Sequence, residues 1–99
     1  MIIVAGYFVV DPAQREEFLL SRADVMRASR AEAGCITYAF SPDQLDPGRV
    51  LLFERWESKA DLAAHLTTLR ARPRPAGGVE VLESEVQQYE ISAVGAVGS

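Results

Sequence analysis

The stretch FERWESKADLAAHL, Phe53 to Leu66, holds both the one tryptophan and the one histidine of the chain, Trp56 and His65. An imidazole titrates near neutral pH, so His65 can take a proton from a phenol. Asp61, one helical turn before it, would orient the ring. The plainer alternative is a half-exposed histidine on a helix flank. Trp56 can stack on a planar ligand, or it can be a core or interface aromatic. Glu54 lies two residues from Trp56 and shares its strand face. If that face is buried, Glu54 needs a partner such as an arginine or a backbone N–H. Arg70, Arg72 and Arg74 stand close together in an acidic chain. They either clamp an anion or simply favour a helix C-terminus. Cys35 has no local base to activate it, and it reads as a small buried hydrophobe.

The totals narrow the classes. A chain of 99 residues is one domain, with an ordered core over about 1–93 and a small, featureless end at 94–99. Apolar residues make up 48%, yet no run approaches the ~18 residues of a membrane span. The surplus apolar surface of so small a domain points to self-association. The net charge of −4 argues against nucleic acid as partner. One Cys and one His cannot supply a disulfide or an ordinary nitrogen–sulfur metal site, and no Gly-rich phosphate loop is present. No cofactor or metal is therefore expected. The start, Met1 to Ala5, lacks a basic segment and reads as a strand, not a signal, so the expected location is cytoplasmic.

The elements that must position these residues follow from pattern. Ile2–Val10 is β-branched and apolar, a strand. Asp11-Pro12 opens a helix expected over 12–32, with Gln14 completing a capping box and Gly34 ending it. Its apolar stripe is Phe18, Leu19, Ala23, Val25 and Met26. Cys35–Phe40 and Val50–Trp56 are strands around a turn-rich loop. Ser58 caps a helix over 59–69. Pro73, Pro75, Gly77 and Gly78 make the following segment a candidate lid. A last strand is expected over 83–91, with a bulge at Gln87-Gln88. The order is strand, helix, strand, strand, helix, strand. This is the α+β, ferredoxin-like βαββαβ split, an antiparallel sheet with two helices on one face. Val50-Leu51-Leu52-Phe53 is apolar on both faces, so the open face should be covered, most simply by a second copy.

Two stretches carry a resemblance: EAGCITY, Glu32 to Tyr38, and LLFERWESKADLAAHL, Leu51 to Leu66. Together they resemble the antibiotic biosynthesis monooxygenase domain family, which includes quinol monooxygenase-like members. Glu32, Gly34, Cys35, Tyr38, Phe53, Glu54, Trp56 and His65 carry the match, and the element order extends it over nearly the whole chain. The resemblance implies a dimeric α+β barrel with a cavity between each sheet and its helices. It also implies oxidation of a phenol, hydroquinone or polyketide-like aromatic by O2 without flavin or metal. His65 would be the catalytic base. Trp56, Tyr38, Phe53, Glu54 and Arg72 would surround the substrate. The chain departs from the pattern at Leu69-Arg70, where many members carry a second imidazole. It also contains no asparagine, so the haem-cleaving branch has no counterpart for its Asn. A non-catalytic binding dimer, or an isomerase or cyclase, would use the same cavity.

Overall fold

The computed structural model describes residues 1–73 and 78–99. Arg74 of the basic cluster, and Pro75 and Gly77 of the candidate lid, lie outside the described residues.

Strand β1 spans Ile2–Val9. Asp11 then accepts a hydrogen bond from the Ala13 N–H at 2.9 Å, and Pro12 stands where its missing N–H costs nothing. The expected single helix comes instead as a 3-10 turn, Pro12–Gln14, and two short helices, α1 (Arg15–Ser21) and α2 (Ala23–Arg30). They are parted at Arg22, whose N–H is shared between the carbonyls of Leu19 and Leu20. Strand β2 is Cys35–Pro42, β3 is Arg49–Trp56, helix α3 is Lys59–Ala71 and β4 is Glu83–Glu90.

The sheet order is β2-β3-β1-β4, with every pairing antiparallel. It is the α+β, ferredoxin-like arrangement. Register runs unbroken from Ile2↔Glu90 to Val9↔Glu83 along β1 and β4. The bulge expected at Gln87-Gln88 is therefore absent. The irregularity falls in β2, between Cys35 and Thr37.

Strand β3 shows how the sheet divides its faces. Val50, Leu52, Glu54 and Trp56 are 0, 6, 5 and 0% exposed, whereas Leu51 and Phe53 are 39 and 40% exposed. Alternate side chains point to opposite faces, so the first four face the helices. Ile2, Tyr38, Leu52, Trp56 and Leu62 form the main core cluster, with Val25, Met26 and Leu66 packed against it. Each fully buried apolar side chain of this kind contributes roughly 1.5–3 kcal/mol. A second cluster, Val10, Phe18 and Val50, fills the other end. Strand β4 lies at the sheet edge, and each of its residues is exposed.

Gly34 fixes the approach of α3 to the end of α2. Its φ is +80°, a region that side chains with a Cβ rarely adopt. A Cβ there would also stand 2.2 Å from the Asp61 carboxyl group. Glycine thus makes the turn and lets the first turn of α3 pack against it. Asp61 itself serves the cap: its N–H donates to Ser58 Oγ at 3.1 Å, and Ser58 Oγ donates to Asp61 Oδ2 at 2.8 Å.

Candidate functional site

Helix α3 directs His65 inward, where it is 2% exposed. The expected orienting partner, Asp61, is committed to Ser58. Glu32 takes that place: its carboxylate oxygens lie 3.1 and 3.2 Å from His65 Nδ1. Glu32 follows the end of α2, and the Gly34 turn brings α3 alongside it. Sequence reading singled out Glu32 only as part of a motif. A carboxylate two residues before a glycine at a helix end was the available signal.

The other ring nitrogen, Nε2, lies 3.9 Å from Glu54 Oε1. The same oxygen accepts a hydrogen bond from Trp56 Nε1 at 2.9 Å. So the buried partner of Glu54 is an indole N–H, neither the arginine nor the backbone N–H expected. Burial pushes the Glu54 carboxyl up from its ordinary value, and the Trp56 N–H and His65 pull against that. Trp56 and His65 pack ring to ring, with centroids 4.6 Å apart. Tyr38 completes the group, 5.3 Å from the His65 ring and 6.5 Å from Trp56. Burial, and then the nearby Glu54, raise the Tyr38 pKa; the Ser29 side chain and Arg22 act in the other direction. Tyr38 is thereby held as a neutral phenol. Ser29, only 2% exposed, is a further buried polar residue that pattern alone did not reveal.

Phe53 does not join this group. It projects from the opposite face of the sheet, because it is one residue out of phase with Glu54 and Trp56. Cys35 packs against the core cluster, and burial raises its thiol pKa. Among the described residues, no group of three or more His, Cys, Asp or Glu side chains is arranged to hold a metal ion.

A cavity of about 670 Å³ lies between sheet and helices. Phe8, Phe18 and Phe40 form its aromatic wall, and Val25, Leu69 and Val79 add apolar surface. Arg22 reaches it from the α1–α2 junction, and Arg72 from the end of α3. Trp56 and His65 are not among its lining residues; they pack on each other behind it. The two regions are joined by rings: Phe8 to Phe40 at 6.0 Å, Phe40 to Tyr38 at 5.9 Å, then Tyr38 to His65. The arrangement can bind a planar apolar molecule beside cationic groups, above a buried carboxylate–imidazole–carboxylate cluster.

Comparison with known proteins agrees with this architecture. Residues 1–72 match the family model described as antibiotic biosynthesis monooxygenase. The Bacillus subtilis protein named "Putative monooxygenase YcnE" is 30% identical over 94 residues, covering 93% of this chain and 99% of that protein. The Synechocystis protein sll1783, named as uncharacterized, is 39% identical over 67 residues. That match covers 68% of this chain and about half, 46%, of sll1783. Among solved structures, an antibiotic biosynthesis monooxygenase-type protein from Nitrosomonas europaea superposes with a TM-score of 0.76 at 23% identity, over 94% of this chain and all of that one. Rv0793 from Mycobacterium tuberculosis superposes with a TM-score of 0.72 at 23% identity, over 96% of this chain and 98% of that one. These two likenesses establish the fold. With the match of the family model over most of its length, the chain belongs to the antibiotic biosynthesis monooxygenase family.

Proposed function

We propose that this protein is a cofactor-independent monooxygenase of a phenol, hydroquinone or polyketide-like aromatic. The observation that carries the reading is the cavity of about 670 Å³, with three phenylalanines and two arginines in its lining. Its size suits a small aromatic molecule, and such sites are mostly apolar with a few convergent polar groups. Family membership supports the reaction class.

The chemistry sets three demands. Triplet O2 reacts slowly with closed-shell molecules, but a phenolate can give it one electron. The resulting radical pair then combines at the ring carbon para to the phenolate oxygen. The peroxide so formed loses water, which leaves a quinone. One oxygen atom enters the ring and the other departs in the water, with the hydrogens of the ring C–H and the phenol O–H. The protein must bind the ring, favour the phenolate and exclude bulk water. Phe8, Phe18 and Phe40 serve the first and third demands. Arg72 serves the second by attracting the anion.

His65 enters this reading as a proton acceptor behind the cavity, not in direct contact with the substrate; Tyr38 packs against its ring at 5.3 Å, with no hydrogen bond between the two among the described residues. Glu32, whose side chain is 24% exposed, then links the imidazole to solvent. Trp56 and Glu54 hold the imidazole in place.

Oxygen uptake tests the proposal. Metal-stripped protein is added to a panel of hydroquinones and polyphenols, and autoxidation is subtracted. Saturable uptake, lost in His65→Gln protein, is expected. Uptake unchanged in that variant would keep the oxygenase and remove His65 from the proton path. No uptake above autoxidation across the panel would defeat the reading. The sealing of His65 behind the cavity favours one other reading, a non-catalytic binder; product formed without oxygen uptake would indicate an isomerase or cyclase.

The reading includes a cytoplasmic homodimer joined through the open sheet faces. Leu51 and Phe53 on that face, and β4 with Val86 and Tyr89, are exposed in the single chain. Light scattering should give twice the chain mass at micromolar concentration. The mass of one chain would refute the dimer.

A further inference from the structure

We propose that Arg22 is the residue that holds the ionised oxygen of the bound phenol. This deepens the proposed function and rests on it, because it assigns a contact to the same cavity. Sequence pattern gave Arg22 no role, since it falls inside the single helix expected over 12–32 and belongs to no motif.

Three observations carry the assignment. Arg22 lines the cavity, and its guanidinium lies 4.9 Å from the centroid of the Phe18 ring, itself part of the aromatic wall. A ligand stacked among Phe8, Phe18 and Phe40 therefore lies beside this cation. Secondly, Arg22 Nε is buried and has no hydrogen-bond partner among the described residues. A buried donor left unmade is costly, and an anionic oxygen would satisfy it with a charge-assisted bond. Thirdly, the carboxylate nearest in the lining does not neutralise it. Asp24 is well exposed and pairs with Arg27 across one helical turn. Among the described residues, the cavity thus keeps uncompensated positive charge within a chain of net charge −4.

The chemical consequence is a division of labour. His65 is sealed, with Glu32 on one nitrogen and Glu54 facing the other. It cannot contact the ring oxygen directly. Arg22 can, and a guanidinium beside that oxygen lowers the free energy of the phenolate relative to the phenol. It makes the electron-rich form available before oxygen arrives. The substrate class is accordingly a phenol that ionises readily, with its oxygen directed toward the α1–α2 junction.

The test uses 4-nitrophenol as probe, under anaerobic conditions, so that no turnover is needed. Its phenolate is coloured, and a pH titration by absorbance reports the ionisation of the bound ring. In wild-type protein the bound probe should ionise at lower pH than free probe, by a preference on the order of tenfold for the phenolate. Arg22→Gln should remove most of that preference, with Arg72 leaving a small remainder. Arg22→Lys, which keeps a cation and a long stem, should restore part of it. Wild-type protein that binds the probe without shifting its ionisation would overturn the assignment, as would an unchanged shift in the Arg22→Gln protein. Failure to bind the probe at all would also overturn it. Because binding is read without oxygen, an Arg22 result stands apart from the oxygen-uptake result. Uptake with no Arg22 effect sinks only this inference, whereas an Arg22 effect without uptake sinks only the oxygenase.

Discussion

Trp56→Ala protein should lose about 3–5 kcal/mol of stability in urea unfolding at neutral pH. Trp56 is fully buried, in the core cluster with Ile2, Tyr38, Leu52 and Leu62. Deleting the indole forfeits its transfer free energy and leaves a cavity beneath α3. It also removes the N–H that donates to Glu54 Oε1 at 2.9 Å. Glu54 would then keep His65, 3.9 Å away, as its remaining favourable partner among the described residues. A small domain has a total stability of roughly 5–15 kcal/mol, so the variant stands at the edge of unfolding. Trp56→Phe separates the two terms, since it keeps most of the ring but not the donor. A loss below about 1.5 kcal/mol for Trp56→Ala would mean that the sheet and α3 collapse onto the gap, and that the indole adds little to the core.

The second large effect is expected at His65. His65→Ala should cost roughly 3–5 kcal/mol, the usual consequence of removing one partner from a buried ionisable pair. The cost should depend on pH in a defined direction. Burial raises the folded-state pKa of Glu54 above its ordinary value of 4.5, and His65 opposes that rise. A raised carboxyl pKa means that the folded state holds the proton more tightly than the unfolded chain. Stability from this group is therefore full below pH 4.5 and is lost as pH climbs through the folded-state pKa. Removing His65 lifts that pKa further and widens the window. The deficit of His65→Ala relative to wild type should grow as pH rises from the acid range. Adding Glu54→Gln to the His65→Ala chain should remove the pH-dependent part, because an amide can still accept the Trp56 N–H without becoming charged. Urea unfolding of the four proteins of this cycle across pH measures it. A deficit that stays flat with pH would show that His65 does not couple to Glu54. Other titratable groups face the pair from neighbouring elements: Glu32 after α2, Cys35 and Tyr38 on β2. The double variant isolates Glu54 from them.

The same cluster explains why His65→Gln suits the functional assay better than His65→Ala. A glutamine can hydrogen-bond Glu32 and fill the site, but it cannot accept and release a proton. Activity lost in a folded His65→Gln protein reports proton transfer; activity lost in His65→Ala reports at least as much a damaged core.

The sequence by itself determined the order of the strands, their faces and the helix starts at Asp11 and Ser58, whereas Gln14 does not complete the capping box expected of it. These are local properties. Asp11-Pro12 and Ser58 mark helix starts because their side chains satisfy orphan N–H groups. Alternation of period two places Glu54 with Trp56, and by the same rule sends Phe53 to the other face. Polar Gln87-Gln88 gave a misleading local signal. The edge strand β4 is exposed on both faces, so polarity there needs no bulge. The break at Arg22 was likewise illegible in a helix-forming run. Tertiary structure alone decided the partners. Glu32 stands 33 positions from His65, and nothing in helical spacing favours it over Asp61. The choice depends on how α3 is rotated about its axis and how closely it approaches the end of α2, which the Gly34 turn and the Asp61–Ser58 cap settle together. The cavity is equally a matter of packing. Arg22 and Arg72 come from separate helices, and they meet Phe8 and Phe40 only when those helices lie on the sheet. Local sequence sets which groups a strand or helix presents; the distance between elements, fixed by side-chain volume and turn geometry, sets which of them can touch.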